Sequence, residues 1–214
     1  MPALANTVTP NTPESPNADS ISALYLGVLG VCLTIFVLVG GWLLYTAVRF
    51  RERRGDTHEP PQIHGSTRLE IGWTVVPILI VIGLIAFTFW KAPSAEKISS
   101  DAMIVKVVAQ QYNFNYTYPS GKPAPGGVLI LPVNRPVKIQ ITSKDVIHDW
   151  WVPALAPKID AVPGRINHTG FTPTHVGTYV GQCAEFCGTG HAGMVITVHI
   201  VSQQAWDSKY KDLA

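Results

Sequence analysis

Two stretches of the chain carry no charge and few polar side chains. The first runs from Ile21 to Val48, the second from Ile71 to Trp90 with Pro77 near its start. A helix needs about 20 apolar residues to cross the ~30 Å hydrocarbon layer, so each run predicts one membrane span. The two together predict a helical hairpin over 21–90. Residues 1–20 are rich in Pro, Asn, Thr and Ser, and they read as a disordered tail. They lack the basic start of a cleaved signal peptide. Past Trp90 the pattern changes period. Residues 91–102 read as a polar linker. Short β-rich runs separated by Pro/Gly turns then predict strands over Met103–Ala109, Tyr112–Tyr118, Val128–Leu131, Val137–Thr142, Arg165–Phe171, Thr178–Gly181 and Met194–Val201. Such spacing points to an all-β sandwich or Greek-key barrel over 103–204, with 205–214 as a C-terminal tail.

Charge orients the hairpin. Arg49, Arg51, Arg53, Arg54 and Arg68 all lie between the two apolar runs, so that loop is expected on the cytoplasmic side and the β-domain on the outer face. Trp42, Trp73 and Trp90 suit interfacial anchors, and Gly27, Gly30, Gly40 and Gly41 permit close helix contact. Only 14% of residues are charged, against roughly 25% in soluble domains, which agrees with a membrane chain. A net charge of +2 gives no ground for a nucleic-acid partner. Of the three cysteines, Cys32 sits inside the first apolar run and reads as a small apolar residue.

The other two cysteines belong to the most informative stretch, Gly181-Gln182-Cys183-Ala184-Glu185-Phe186-Cys187-Gly188-Thr189-Gly190-His191-Ala192-Gly193-Met194. Two thiols, an imidazole and a thioether within one glycine-rich loop are ligands that copper favours. A mononuclear copper loop needs one Cys here. A second thiolate allows two sulfurs to bridge two coppers, with a further His supplied by His148 in Val146-Ile147-His148-Asp149-Trp150-Trp151. A Cys183–Cys187 disulfide and a zinc site are the rival readings. A disulfide gives no reason for His191 and Met194, and Met is not a usual zinc ligand.

With His148 upstream, this loop resembles the binuclear CuA site of cytochrome c oxidase subunit II, and the likeness covers nearly the whole chain from the first apolar helix onward. The resemblance implies a cupredoxin-like β-domain behind the two-helix membrane hairpin. It implies that Cys183 and Cys187 bridge the coppers and that His148 and His191 each bind one. Met194 and the backbone carbonyl of Glu185 would be the weak axial ligands. The Glu185 carboxylate would reach a magnesium shared with subunit I, where the haems and CuB reside. Electrons would pass from cytochrome c through CuA to haem for reduction of dioxygen to water, coupled to proton pumping, in a bacterial inner membrane with the copper domain periplasmic.

Three further motifs carry the likeness. Glu70 in Glu70-Ile71-Gly72-Trp73-Thr74-Val75-Val76-Pro77 is by itself a headgroup-level carboxylate, but in the family this glutamate lies near a proton-channel mouth in subunit I. The aromatic run Gln111–Pro119 places Tyr112 where the family carries the Trp at which electrons arrive from cytochrome c. Asp160 and Arg165 fall in an Asp-Ala-x-Pro-Gly-Arg segment that lies against subunit I. His168, His175 and His199 read as surface or strand histidines. Two rivals stand beside this reading. A quinol-oxidase subunit II lacks copper, against which the retained ligands argue, and a copper-delivery protein would more often expose sparse ligands.

Overall fold

The computed structural model describes residues 12–51, 55, 62 and 64–214. The first part of the expected tail (1–11), and Arg53 and Arg54 of the basic loop, lie outside the described residues. The chain forms two compact units, Leu24–Trp90 and the remainder.

Helix α1 spans Pro16–Arg49 and α2 spans Thr67–Ala95, both longer than the apolar runs they contain and both long and apolar enough to cross a membrane. Within the helical unit Gly27 permits close contact, since a Cβ there would lie 2.7 Å from Phe87 Cε1. Gly30, Gly40 and Gly41 meet nothing within 4 Å.

Within the expected tail, residues 14–20 are tied into the fold. The backbone N–H of Glu14 donates to the Ala154 carbonyl (2.8 Å), and that of Thr174 donates to the Glu14 carbonyl (2.9 Å). Ser15 caps α1 by accepting from the Ala18 N–H at 3.0 Å, and Pro16 takes the first helical position, where its missing N–H does no harm. The Ser15 hydroxyl also donates to the Leu155 carbonyl. Residues 91–95, expected in a linker, continue α2. The Asn17 amide donates to the Ala95 carbonyl (2.8 Å), an acceptor that the helix end leaves free, and to that of Lys97 just beyond it (3.1 Å).

Among the described residues the β-unit holds nine strands: β1 Met103–Gln110, β2 Asn113–Thr117, β3 Leu129–Pro132, β4 Val137–Ser143, β5 His148–Trp151, β6 Ile159–Ala161, β7 Asn167–Phe171, β8 Gly177–Cys183 and β9 Val195–Val201. They form two sheets, β2-β1-β4-β7 and β3-β9-β8-β5-β6, with the pairs β1/β4 and β3/β9 parallel. Alternate residues of β1, β4 and β9 are buried, as period-2 patterning requires, and one core joins both sheets through Val105, Ile139, Trp150, Ile196 and Val198. Trp150 stacks on Phe171 across that core at 6.1 Å. The seven expected strands all form, with ends shifted by a residue or two. β5 and β6 went unpredicted.

The C-terminal tail is also structured. Ser202 caps helix α3, Gln203–Lys209, and Trp206 of that helix is buried beside Tyr118 at 6.3 Å. Leu213 is buried too.

Candidate metal centre

One end of the second sheet gathers the loop ligands. β8 ends at Cys183 and β9 begins just after Met194, so the segment between them is a closed loop whose neck is the Cys183 N–H bond to the Met194 carbonyl at 3.0 Å. β5 lies next to β8, pairing Trp150 with Cys183, and brings His148 to the same end. His148 is the first residue of that strand and is fully buried.

The six expected donors converge. The Cys183 and Cys187 sulfurs stand 4.0 Å apart, well beyond the ~2.05 Å of a disulfide, and both thiols are free and buried. Each sulfur has its own imidazole, with His148 Nδ1 at 4.0 Å from Cys183 Sγ and His191 Nδ1 at 3.6 Å from Cys187 Sγ. Met194 Sδ lies 3.9 Å from Cys187 Sγ, and the Glu185 carbonyl lies 3.3 Å from Cys183 Sγ. Ligand atoms of His148, Cys183 and Cys187 all fall within 4.8 Å of one another. This donor set of two thiols, two imidazoles, a thioether and a carbonyl fits a soft metal pair. Burial, with the neighbouring Cys183 second, pushes the Cys187 thiol up to about 11.

Two supporting residues carry no signal in local spacing or motif. Asp145 Oδ1 holds His148 Nε2 at 2.9 Å, which leaves Nδ1 facing Cys183. Burial works to raise the Asp145 carboxyl. The Gln111 N–H, the His148 ring, the Val146 N–H and the Ser143 hydroxyl outweigh it and hold the group well below the usual carboxylate range. Gln111 is the second. Its backbone N–H donates to Asp145 Oδ2 (2.7 Å) and its side-chain amide donates to the Cys187 carbonyl (2.7 Å).

Tyr112 follows Gln111 in the β1–β2 turn. It is 39% exposed, its hydroxyl lies 3.3 Å from Thr189 Oγ1, and its ring covers the metal loop. A Cβ on Gly190 would stand 2.6 Å from that ring, so the loop needs glycine there. Phe186 is more exposed than Tyr112 and makes an edge contact with the His191 ring at 5.7 Å.

Glu70 is exposed in the first turn of α2, where the helix dipole favours a carboxylate, and its carbonyl accepts from Thr74 Oγ1 at 2.7 Å. Asp160 of β6 stands opposite Asp149 of β5. Burial, then the Asp160 carboxyl beside it, pushes Asp149 up to about 7, with Lys158 pulling the other way. Glu185 has an exposed side chain, and among the described residues the cluster around His148 is the one group of His, Cys, Asp and Glu able to hold a metal ion. His175 pairs with Glu14 at 2.6 Å and His199 with Thr178 at 2.8 Å, neither at the cluster.

Two membrane-length helices followed by a two-sheet β-domain with thiols, imidazoles and a thioether at one end define a membrane-anchored cupredoxin-like protein. Residues 124–201 match the family model for the periplasmic domain of cytochrome c oxidase subunit II, and residues 8–91 match that for its transmembrane domain. A cytochrome c oxidase subunit 2 of Cereibacter sphaeroides is 34% identical over 90% of this chain and 75% of its own length. A probable cytochrome c oxidase subunit 2 of Rickettsia bellii is 32% identical over 92% and 80%. The periplasmic domain of subunit II of cytochrome oxidase from Bradyrhizobium japonicum is 30% identical with a TM-score of 0.48, covering 55% of this chain and all of that one. The chain belongs to the cytochrome c oxidase subunit II family. It is a membrane protein, a subunit of a haem-copper terminal oxidase, and copper binding is implied by that family.

Proposed function

We propose that this subunit holds a binuclear CuA centre, receives electrons from cytochrome c and delivers them to haem in subunit I. The observation that carries the reading is the pairing of each buried thiol with its own imidazole, Cys183 with His148 and Cys187 with His191. Cys183, Cys187, His148, His191, Met194 and the Glu185 carbonyl would hold the two coppers. Once bound, the copper pair supplies a one-electron relay.

The chain's own residues then have distinct tasks. The β5–β8 pairing fixes the spacing of His148 from Cys183, and Asp145 fixes the orientation of the His148 ring. Burial of both cysteines, His148 and Met194 excludes water from the donors. Tyr112, half-exposed over the loop, offers an apolar face to the donor's haem edge. The Glu185 carboxylate would reach a magnesium with ligands from subunit I, and Asp160 and Arg165 would lie at that interface. Subunit I would hold the haems and CuB and reduce dioxygen to water with proton pumping, Glu70 standing near a proton-channel mouth. The arginines between the spans support a cytoplasmic loop, which would put the copper domain on the periplasmic face of a bacterial inner membrane.

The test is copper stoichiometry with an EPR spectrum on the purified full chain. Two coppers and a mixed-valence signal are expected, and Cys183→Ser is expected to abolish the binuclear signal because a hydroxyl is a far weaker copper ligand. One zinc per chain, or a stable Cys183–Cys187 disulfide in copper-replete cells, would overturn the reading.

A further inference from the structure

The β1–β2 turn carries no metal ligand, yet it bonds to both segments that do. Gln111 sits at its corner. Its backbone N–H donates to one oxygen of Asp145, and the other oxygen of that carboxylate holds the far nitrogen of His148. Its side-chain amide donates to the Cys187 carbonyl, and because that acceptor is a carbonyl the amide must present its nitrogen. One residue thus closes a linkage from His148 through Asp145 to Cys187, joining parts of the chain that are 34 and 76 residues away from it.

A glutamine at an exposed turn corner is ordinarily left to solvent. Here the close fit says otherwise. A Cβ on Gly188 would come within 3.0 Å of Gln111 Nε2 and 2.7 Å of the Tyr112 hydroxyl. The metal loop is glycine at that point because the turn is seated directly on its backbone. Gly188 also has φ +128, a conformation that a side chain would strain.

We propose that Gln111 is a positioning residue of the metal centre, acting through Cys187 and Asp145 without touching the metal. This rests on the reading of the centre as binuclear copper. A donor set held only by its own loop would relax when the charge on the metals changes. The latch ties the Cys187 backbone to the segment that orients His148, so the two imidazole–thiol pairs keep their spacing. Partners one bond removed from the ligands typically change metal affinity 10- to 100-fold when lost.

The experiment uses the full chain in detergent, titrated with copper. Gln111→Met keeps the length and neutrality of the side chain but removes the donor. It is expected to lower copper affinity about 10-fold or more and to alter the EPR hyperfine pattern, with the metal-free unfolding midpoint close to wild type. Gln111→Lys, which restores an N–H donor, is expected to recover much of the affinity and the pattern. If Gln111→Met does not fold, Gln111→Glu carries the same comparison. Wild-type affinity and spectrum in a folded donor-less variant overturn the proposal. A wild-type chain that binds no copper pair overturns the underlying reading instead.

Discussion

Gly181 is the position at which a single methyl group should do most damage for its size. It lies in β8, two residues before Cys183, with β5 alongside. A Cβ built there would stand 2.2 Å from the Trp151 carbonyl oxygen and 2.9 Å from Val152 Cα, both backbone atoms, and 2.8 Å from Val152 Cγ2. Ordinary contact begins at 3.4 Å, so in Gly181→Ala the two strands must part by about 1 Å. No rotamer change relieves a clash with backbone. Overpacking of this kind costs about 1–3 kcal/mol, and a contact this short belongs at the upper end. For a domain of this size that lowers the unfolding midpoint by roughly 5–10 °C. β5 carries His148 and β8 carries Cys183, so the same displacement widens the 4.0 Å spacing between them. Differential scanning fluorimetry on metal-free chain and copper titration on the same preparation are the two assays. A midpoint within about 2 °C of wild type, together with wild-type copper occupancy, would refute the claim that β5–β8 packing sets the site.

Tyr112→Ala is expected to slow cytochrome c oxidation while leaving the copper EPR spectrum unchanged, as stopped-flow and EPR on one sample would report. The domain's charges from Ala92 onward, ten Lys or Arg against eight Asp or Glu, give little steering, so that rate is expected to fall only weakly with ionic strength. Glu70→Ala is expected to slow turnover of the assembled oxidase without affecting reduction of the copper centre, and unchanged turnover would reduce Glu70 to a headgroup-level residue. Trp206→Ala removes a side chain only 1% exposed and is expected to cost about 3–5 kcal/mol, read from thermal unfolding. Burial raises Tyr118 to about 12 against an ordinary 10. The folded state therefore holds that proton more tightly, so the stability it contributes is complete below pH 10 and is lost as pH rises towards 12. Unfolding midpoints followed over that window should fall, and less steeply in Tyr118→Phe.

The sequence by itself determined the two membrane-length helices and the cluster of candidate donors on the 181–194 loop, because both are local patterns. An uncharged run long enough for a bilayer needs no tertiary context. Cys183, Cys187, His191 and Met194 lie on one short loop, so their chemistry could be read together. The period-2 strands were legible for the same reason. Where composition stood in for structure, the reading failed. The segment 14–20 looks like a tail, although Ser15-Pro16 is a helix start, and 205–214 looks like another, although Trp206 and Leu213 are buried. β5 and β6 carry no alternation to detect, since three of the four residues of His148–Trp151 are buried outright and Ile159–Ala161 is only three residues long. Only the tertiary structure decided which imidazole faces which sulfur, that Asp145 holds His148, and that Gln111 reaches Cys187. The bonds from Gln111 to Asp145 and Cys187, and the approach of His148 to Cys183, join residues far apart in the chain, and their partners are set by strand order and turn placement that no local spacing encodes.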